Sequence, residues 1–150
     1  MKEKTVEAIV EIGAKPVVER RAEARGCLHL KESTKQHIVG DTVSKGHVLE
    51  ASTIAAIQAV KETPRIIPPC HPIPLEGTKV SWTWDESDLW VTVSVSAHYK
   101  TGIEMEAMTG VCAALLCAFD MVKSLEKDEH GQYPTARISS VEVLHKFKGE

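Results

Sequence analysis

The sequence predicts an α+β sandwich of ferredoxin-like type, an antiparallel sheet with helices packed on one face. Three observations lead there: a hairpin alternates apolar and polar residues with period two, two stretches carry helical periodicity, and helices and antiparallel strands are mixed along the chain. Its 150 residues suit one domain, spanning 1–150, and 43% apolar residues with only 5% aromatic supply an aliphatic core.

Residues 1–20 mix charge with short apolar runs and contain Lys15-Pro16, which predicts an extended N-terminal arm. A first strand is expected from Ala22 to Leu30. Ser33 is expected to cap a short helix that Gly40 closes. From Val48 to Lys61 apolar residues recur at helical spacing until Pro64 stops the pattern. Pro68, Pro69, Pro72 and Pro74 then exclude helix or central strand, so Arg65 to Leu75 reads as a stiff connector holding Cys70 and His71. Val80, Trp82 and Trp84 alternate with Ser81 and Thr83; Asp85 to Asp88 turns; Leu89 to Ala97 alternates again, which makes a hairpin. The last helix is expected from about Gly102 to Glu126, and a closing strand from Ala136 to Phe147 with Val141 and Val143 on one face.

Composition excludes several classes of partner. A formal charge of −3 gives no basic field for nucleic acid or an anionic membrane surface. The N-terminus lacks the apolar run of a signal peptide, and no stretch is expected to span a membrane. Cys27, Cys70, Cys112 and Cys117 show no Cys-x-x-Cys spacing, so a zinc site is not expected. Three of them read as reduced core cysteines of a cytoplasmic protein, while Cys70 stands apart in the proline segment.

The last helix has two faces. Met108, Val111, Leu115, Phe119 and Val122 form an apolar stripe to seat on the sheet. Another stripe runs through Glu106, Gly110, Ala113, Cys117 and Asp120, whose small central residues admit a second helix, a neighbouring subunit or a flat ligand. Fourteen residues at about 1.5 Å each separate Glu106 from Asp120 by roughly 21 Å, so both cannot grip one reacting atom. The expectation is a surface shared between subunits. Asp120 and Lys123, one turn apart, suit either a surface ion pair or acid–base chemistry. Glu104 and Glu106 either meet the positive end of the helix dipole or hold a ligand. Lys45, just before a helix, could bind an anion there, and the prolines around His71 would position it as acid, base or phosphate ligand. Catalysis, nucleotide binding without turnover, and an oligomer seam all remain open on these residues alone.

Taken in order, Lys45-Gly46 before an Ala-rich helix, Cys70-His71-Pro72, the block Thr101-Gly102-Ile103-Glu104-Met105-Glu106-Ala107-Met108-Thr109, Asp120-Met121-Val122-Lys123 and Val143-Leu144-His145-Lys146 closely resemble one family. It is the cyclic pyranopterin monophosphate synthase family of molybdenum cofactor biosynthesis, and the resemblance covers residues 16 to 146. It implies a cytoplasmic homohexamer, a trimer of dimers with sites at subunit interfaces, acting as a lyase on a nucleotide-derived substrate. A cyclic dihydro-GTP would be rearranged to a pyranopterin while pyrophosphate is expelled. By similarity Asp120, Lys123 and Lys45 are catalytic, and Pro69, Cys70, His71, Glu104, Met105, Glu106 and Lys146 contact substrate. The resemblance implies no firm cofactor and no protein metal ligands, although Mg²⁺ could accompany the triphosphate.

The sequence departs from the family's usual pattern at Pro69, where Leu is common, at Thr53, where Arg is common, and at His47, where Asp is common. After Lys146 the tail shortens to Phe147-Lys148-Gly149-Glu150. No catalytic group is lost by these changes.

Overall fold

The computed structural model describes residues 2–150. Its elements are β1 (Val18–His29), α1 (Glu32–Val39), α2 (Val48–Ile66), β2 (Gly77–Asp85), β3 (Asp88–Tyr99), α3 (Glu104–Glu126) and β4 (Arg137–Lys148). The strands form one sheet in the order β2-β3-β1-β4, with each neighbouring pair antiparallel. This is the split βαβ topology of a ferredoxin-like sandwich, as the sequence predicts.

Alternation in the strands decides which face is covered. Ala22, Ala24 and Leu28 of β1 and Leu89, Val91, Val93 and Val95 of β3 are buried beside Val111, Leu115 and Val122 of α3. Arg21, Glu23 and Arg25 occupy the alternate positions of β1, opposite Ser96, Ser94 and Thr92 of β3, and line the open face. The first strand starts earlier than predicted. Val18, Glu19 and Arg20, assigned from sequence to the arm, pair with Tyr99, His98 and Ala97, because charge on alternate positions is what a half-open sheet accepts. Residues 2–17 carry no helix or strand.

Two helix boundaries also differ from expectation. Lys31, not Ser33, occupies the N-cap of α1, and no side chain of its own caps it. Glu126, from the end of α3, does so instead: Oε2 accepts from the Lys31 backbone N–H at 3.1 Å and from the Thr34 hydroxyl. A carboxylate from a distant helix thus takes the N-cap N–H, the donor that a Glu three residues into the helix takes in a capping box, and places its charge at the positive end of α1. Meanwhile α2 runs through Pro64 to Ile66. Proline has no N–H for the carbonyl of Val60, and the buried Thr63 hydroxyl fills the gap, reaching Val60 O at 3.1 Å and Ala59 O at 2.9 Å.

The small residues of α3 face a second helix. A Cβ on Gly110 would lie 2.7 Å from Val60 Cγ2 of α2 and 3.2 Å from Val93 Cγ1 of β3, so glycine permits the close approach. By length and composition α3 could cross a membrane, having 23 residues and an 18-residue stretch of mean hydropathy 1.6, contrary to the expectation that no stretch reaches that length. It packs instead beside α2 on the covered face of the sheet, where Val111, Ala114, Leu115, Ala118 and Val122 are buried. Thr53 and His47 take local roles. The Thr53 hydroxyl accepts from Trp82 Nε1 at 2.9 Å, and His47 Nδ1 lies 2.7 Å from Asp41 Oδ1.

Candidate active site

At the C-terminal part of α3, three ionisable residues meet. Lys123 follows Asp120 by one turn, which puts both on one face, and Lys123 Nζ lies 3.0 Å from Asp120 Oδ1. Lys45 comes from the loop before α2, where Gly46 takes a φ of 111° that side chains resist. Its Nζ donates to Asp120 Oδ2 at 2.9 Å and to the Asp120 carbonyl at 3.2 Å. Each carboxylate oxygen therefore holds one amine. These hydrogen bonds, that of Lys45 foremost, hold the Asp120 carboxyl below its ordinary value, and Asp120 in turn raises the Lys123 amine. All three side chains are exposed, so the cluster contributes little to stability and is open to a ligand. Lys45 thus joins Asp120 rather than standing alone at a helix N-terminus.

The N-terminal end of α3 builds a different site. Pro69, Cys70, His71, Glu104, Met105 and Glu106 line one cavity of about 270 Å³. Lys146 adjoins it, its Nζ 3.4 Å from Glu104 Oε1. The position of Lys146 depends on a bulge in β4. Glu23 pairs with His145 but Ala24 pairs with Val143, so Leu144 is an extra residue. Lys146 then falls opposite the inward-facing Ala22, whereas an unbulged strand would aim it at the open face.

Burial sets the chemistry of this cavity. Glu106 is 3% exposed and its Oε2 has no hydrogen-bond partner among the described residues. Desolvation, with a smaller contribution from the charge of Glu104, raises its carboxyl, which suits a proton donor. The Cys70 thiol is raised too, by burial and then by Glu106, so it is a poor thiolate nucleophile. His71 Nε2 donates to the Val10 carbonyl at 2.7 Å, since a carbonyl can only accept. That fixes one ring nitrogen as N–H and leaves Nδ1 free to accept. The proline connector and the arm together therefore orient the imidazole.

The two groups do not meet within one chain, for the fourteen residues between Glu106 and Asp120 still amount to roughly 21 Å of helix. A larger cavity, about 560 Å³ and lined by Arg21, Glu23, Lys79 and Ser94, opens on the far face of the sheet and contains none of the predicted site residues. Two cations escaped the sequence reading. Lys15 lines the cavity beside His71, although its arm carries no periodic pattern to mark it. Arg20 is 6% exposed, and its Nε has no partner among the described residues. An arginine at an inward position of an alternating strand, two before Ala22, was the available signal.

Fold and site together define a ferredoxin-like α+β protein with an acid–base cluster at one end of its central helix and a buried-acid cavity at the other. Comparison with known proteins narrows this class. The sequence model described as the MoaC family matches residues 9–149, and the chain belongs to that family. It is 50% identical over 142 residues to a protein of Thermococcus kodakarensis named "Probable cyclic pyranopterin monophosphate synthase", covering 95% of this chain and 91% of that protein. A Pyrococcus abyssi protein of the same name is 51% identical over 140 residues, covering 93% of this chain and 88% of the relative. A third relative, from Methanothermobacter thermautotrophicus, is 49% identical over 142 residues, with 95% of this chain and 89% of the relative covered. Its name is "Probable cyclic pyranopterin monophosphate synthase accessory protein".

Proposed function

We propose that this chain is a cyclic pyranopterin monophosphate synthase, a lyase that converts a cyclic dihydro-GTP to cyclic pyranopterin monophosphate with release of pyrophosphate in molybdenum cofactor biosynthesis. The observation that carries this reading is the Asp120 carboxylate held between the amines of Lys45 and Lys123 in a member of this family. Opening and reclosing the purine requires protons to be taken and given at several heteroatoms. Substrate that draws the amines away from Asp120 relieves both shifts, so the carboxylate becomes a better acceptor and the Lys123 amine a better donor. Forming the cyclic phosphate concentrates negative charge on the phosphates, which Lys15 and Lys146 would offset. Glu106 would supply a proton from the dry end of the cavity.

Mg²⁺, in this reading, enters with the triphosphate rather than in a protein cage. Glu104 is engaged by Lys146 and burial favours the protonated form of Glu106, so the cavity's two carboxylates suit a hard cation poorly.

The same reading places the enzyme in the cytoplasm as a homohexamer, a trimer of dimers, whose sites combine the Asp120 end of one chain with the Glu106 end of another. What supports it is the separation of the two ends along α3, together with the exposure of Ile54, Ile57, Met105 and Leu116 on the helices. Purified chain incubated with the cyclic dihydro-GTP is expected to release pyrophosphate and a pterin precursor that oxidises to a fluorescent product. Asp120→Asn and Lys123→Ala should each abolish this without unfolding. Mixing Asp120→Asn chains with Glu106→Gln chains should restore part of the activity, because some composite sites are then intact. Tight nucleotide binding with no product would instead make the chain a regulatory module.

A further inference from the structure

We propose that Cys27, His29 and Asp88 form a binding site for one divalent transition-metal ion of the zinc class, on the open face of the sheet and separate from both ends of α3. Antiparallel register creates it. Cys27 and His29 are two apart on β1 and therefore share a face, and Asp88 of β3 pairs directly with His29. One ligand atom from each of the three lies within 4.8 Å of the others. Bond lengths of about 2.0–2.3 Å place tetrahedral ligand atoms roughly 3.5 Å apart, so side-chain rotation suffices to close the set.

The surroundings are those of a ligand histidine. His29 Nδ1 lies 2.9 Å from Asp88 Oδ1, and its other nitrogen, Nε2, lies 2.5 Å from Ser139 Oγ of β4. Without metal, Nδ1–H donates to the Asp88 carboxylate, which can only accept. On binding, Nδ1 gives up that proton and the imidazole is held as its other tautomer, whose Nε2–H donates to Ser139 and orients the ring while the Nδ1 lone pair meets the ion. Thiolate, imidazole and carboxylate are a borderline-soft donor set, and the two negative charges neutralise a divalent cation. Cys27 is fully buried whereas His29 and Asp88 are partly exposed, which gives the ion an approach from their side.

Arg137, paired with His29 on β4, adds a positive charge nearby that favours the thiolate, and Asp85 and Asp88 oppose it. Burial above all pushes the Cys27 thiol up to about 11, so without metal it keeps its proton. Coordination releases that proton to solvent and makes affinity rise with pH. Linear spacing hides the site, because its third ligand lies 59 positions beyond the second.

Titration of the full chain with Co²⁺ tests this. One equivalent should produce a thiolate-to-cobalt charge-transfer absorption, which Zn²⁺ then displaces. Cys27→Ser should lose the absorption. Asp88→Asn, which keeps a hydrogen-bonding group for His29 and so preserves the fold, should weaken binding at least about tenfold, and Ser139→Ala by about ten- to a hundredfold. Absence of the charge-transfer band in the unmodified chain would overturn the proposal. So would the same band in Cys27→Ser, since the sulfur would then belong to another cysteine.

Discussion

Lys45 Nζ lies 2.9 Å from Asp120 Oδ2, joining a loop before α2 to the far end of α3 across 75 positions of sequence. Because Lys123 occupies the other carboxylate oxygen, Asp120 is held ionised and oriented by two amines of different origin. One belongs to its own helix and the other to a glycine-hinged loop.

Removing the loop amine should release the carboxyl. In Lys45→Met, the Asp120 pKa is expected to rise toward its ordinary 3.8, read from a carboxyl-carbon titration by NMR. The sign follows from linkage: a depressed native value adds stability above the unfolded value, and that stability is lost as pH falls through the native one. Lys45→Met should therefore flatten the acid limb of the stability profile. An unchanged Asp120 titration would show that Lys45 does not hold the carboxylate in solution.

Glu106 should behave oppositely. Its raised native pKa means that the folded chain binds this proton more tightly than the unfolded chain, so the linked stability is full below about 4.5 and declines as pH rises through the native value. Glu106→Gln should remove that decline in urea unfolding measured between about pH 4 and about pH 8. A decline of unchanged slope in the variant would assign it to other groups.

Gly110 sets the distance between α2 and α3. Helix propensity favours Ala over Gly by about 1 kcal/mol, but forcing a methyl into a packed core costs about 1–3 kcal/mol. The close approach to Val60 makes the second effect the larger. Gly110→Ala should lower the unfolding midpoint, and Val60→Ala should relieve part of the penalty. Additive effects of the two changes would exclude this contact as the cause.

The last turn of α2 offers a second test of the core. Thr63→Val leaves the buried Val60 carbonyl without a donor, at a cost of about 1–3 kcal/mol. In a Pro64→Ala background the new N–H supplies that donor, and the same substitution should cost less. Equal costs in both backgrounds would mean that the hydroxyl does not compensate for the proline.

Much of this protein could be read locally. Alternation in the hairpin and the apolar stripe of α3 located the sheet and its covering helix, since strand and helix periods act over a few residues. The motif blocks placed six site residues on one cavity, and the helical rise separated them from Asp120. Other features depend on residues distant in sequence. Glu126 caps α1 across 95 positions, Lys45 reaches Asp120 only once α2 and α3 pack, and Arg20 looked like one charge among several until the strand turned it inward. Pro64 misled for another reason, because its missing hydrogen bond is replaced by the side chain immediately before it.

The bulge at Leu144 gives strand β4 an unusual tolerance of length. A single-residue deletion there would straighten the ladder, because Val143 opposite Ala24 would be followed directly by His145 opposite Glu23, and Lys146 would stay opposite Ala22 on the cavity side. In aligning relatives of this chain, a one-residue gap at that point of the terminal strand therefore keeps the cationic substituent in place. Only a substitution at the lysine itself, or a gap between it and the bulge that the extra residue does not absorb, removes it.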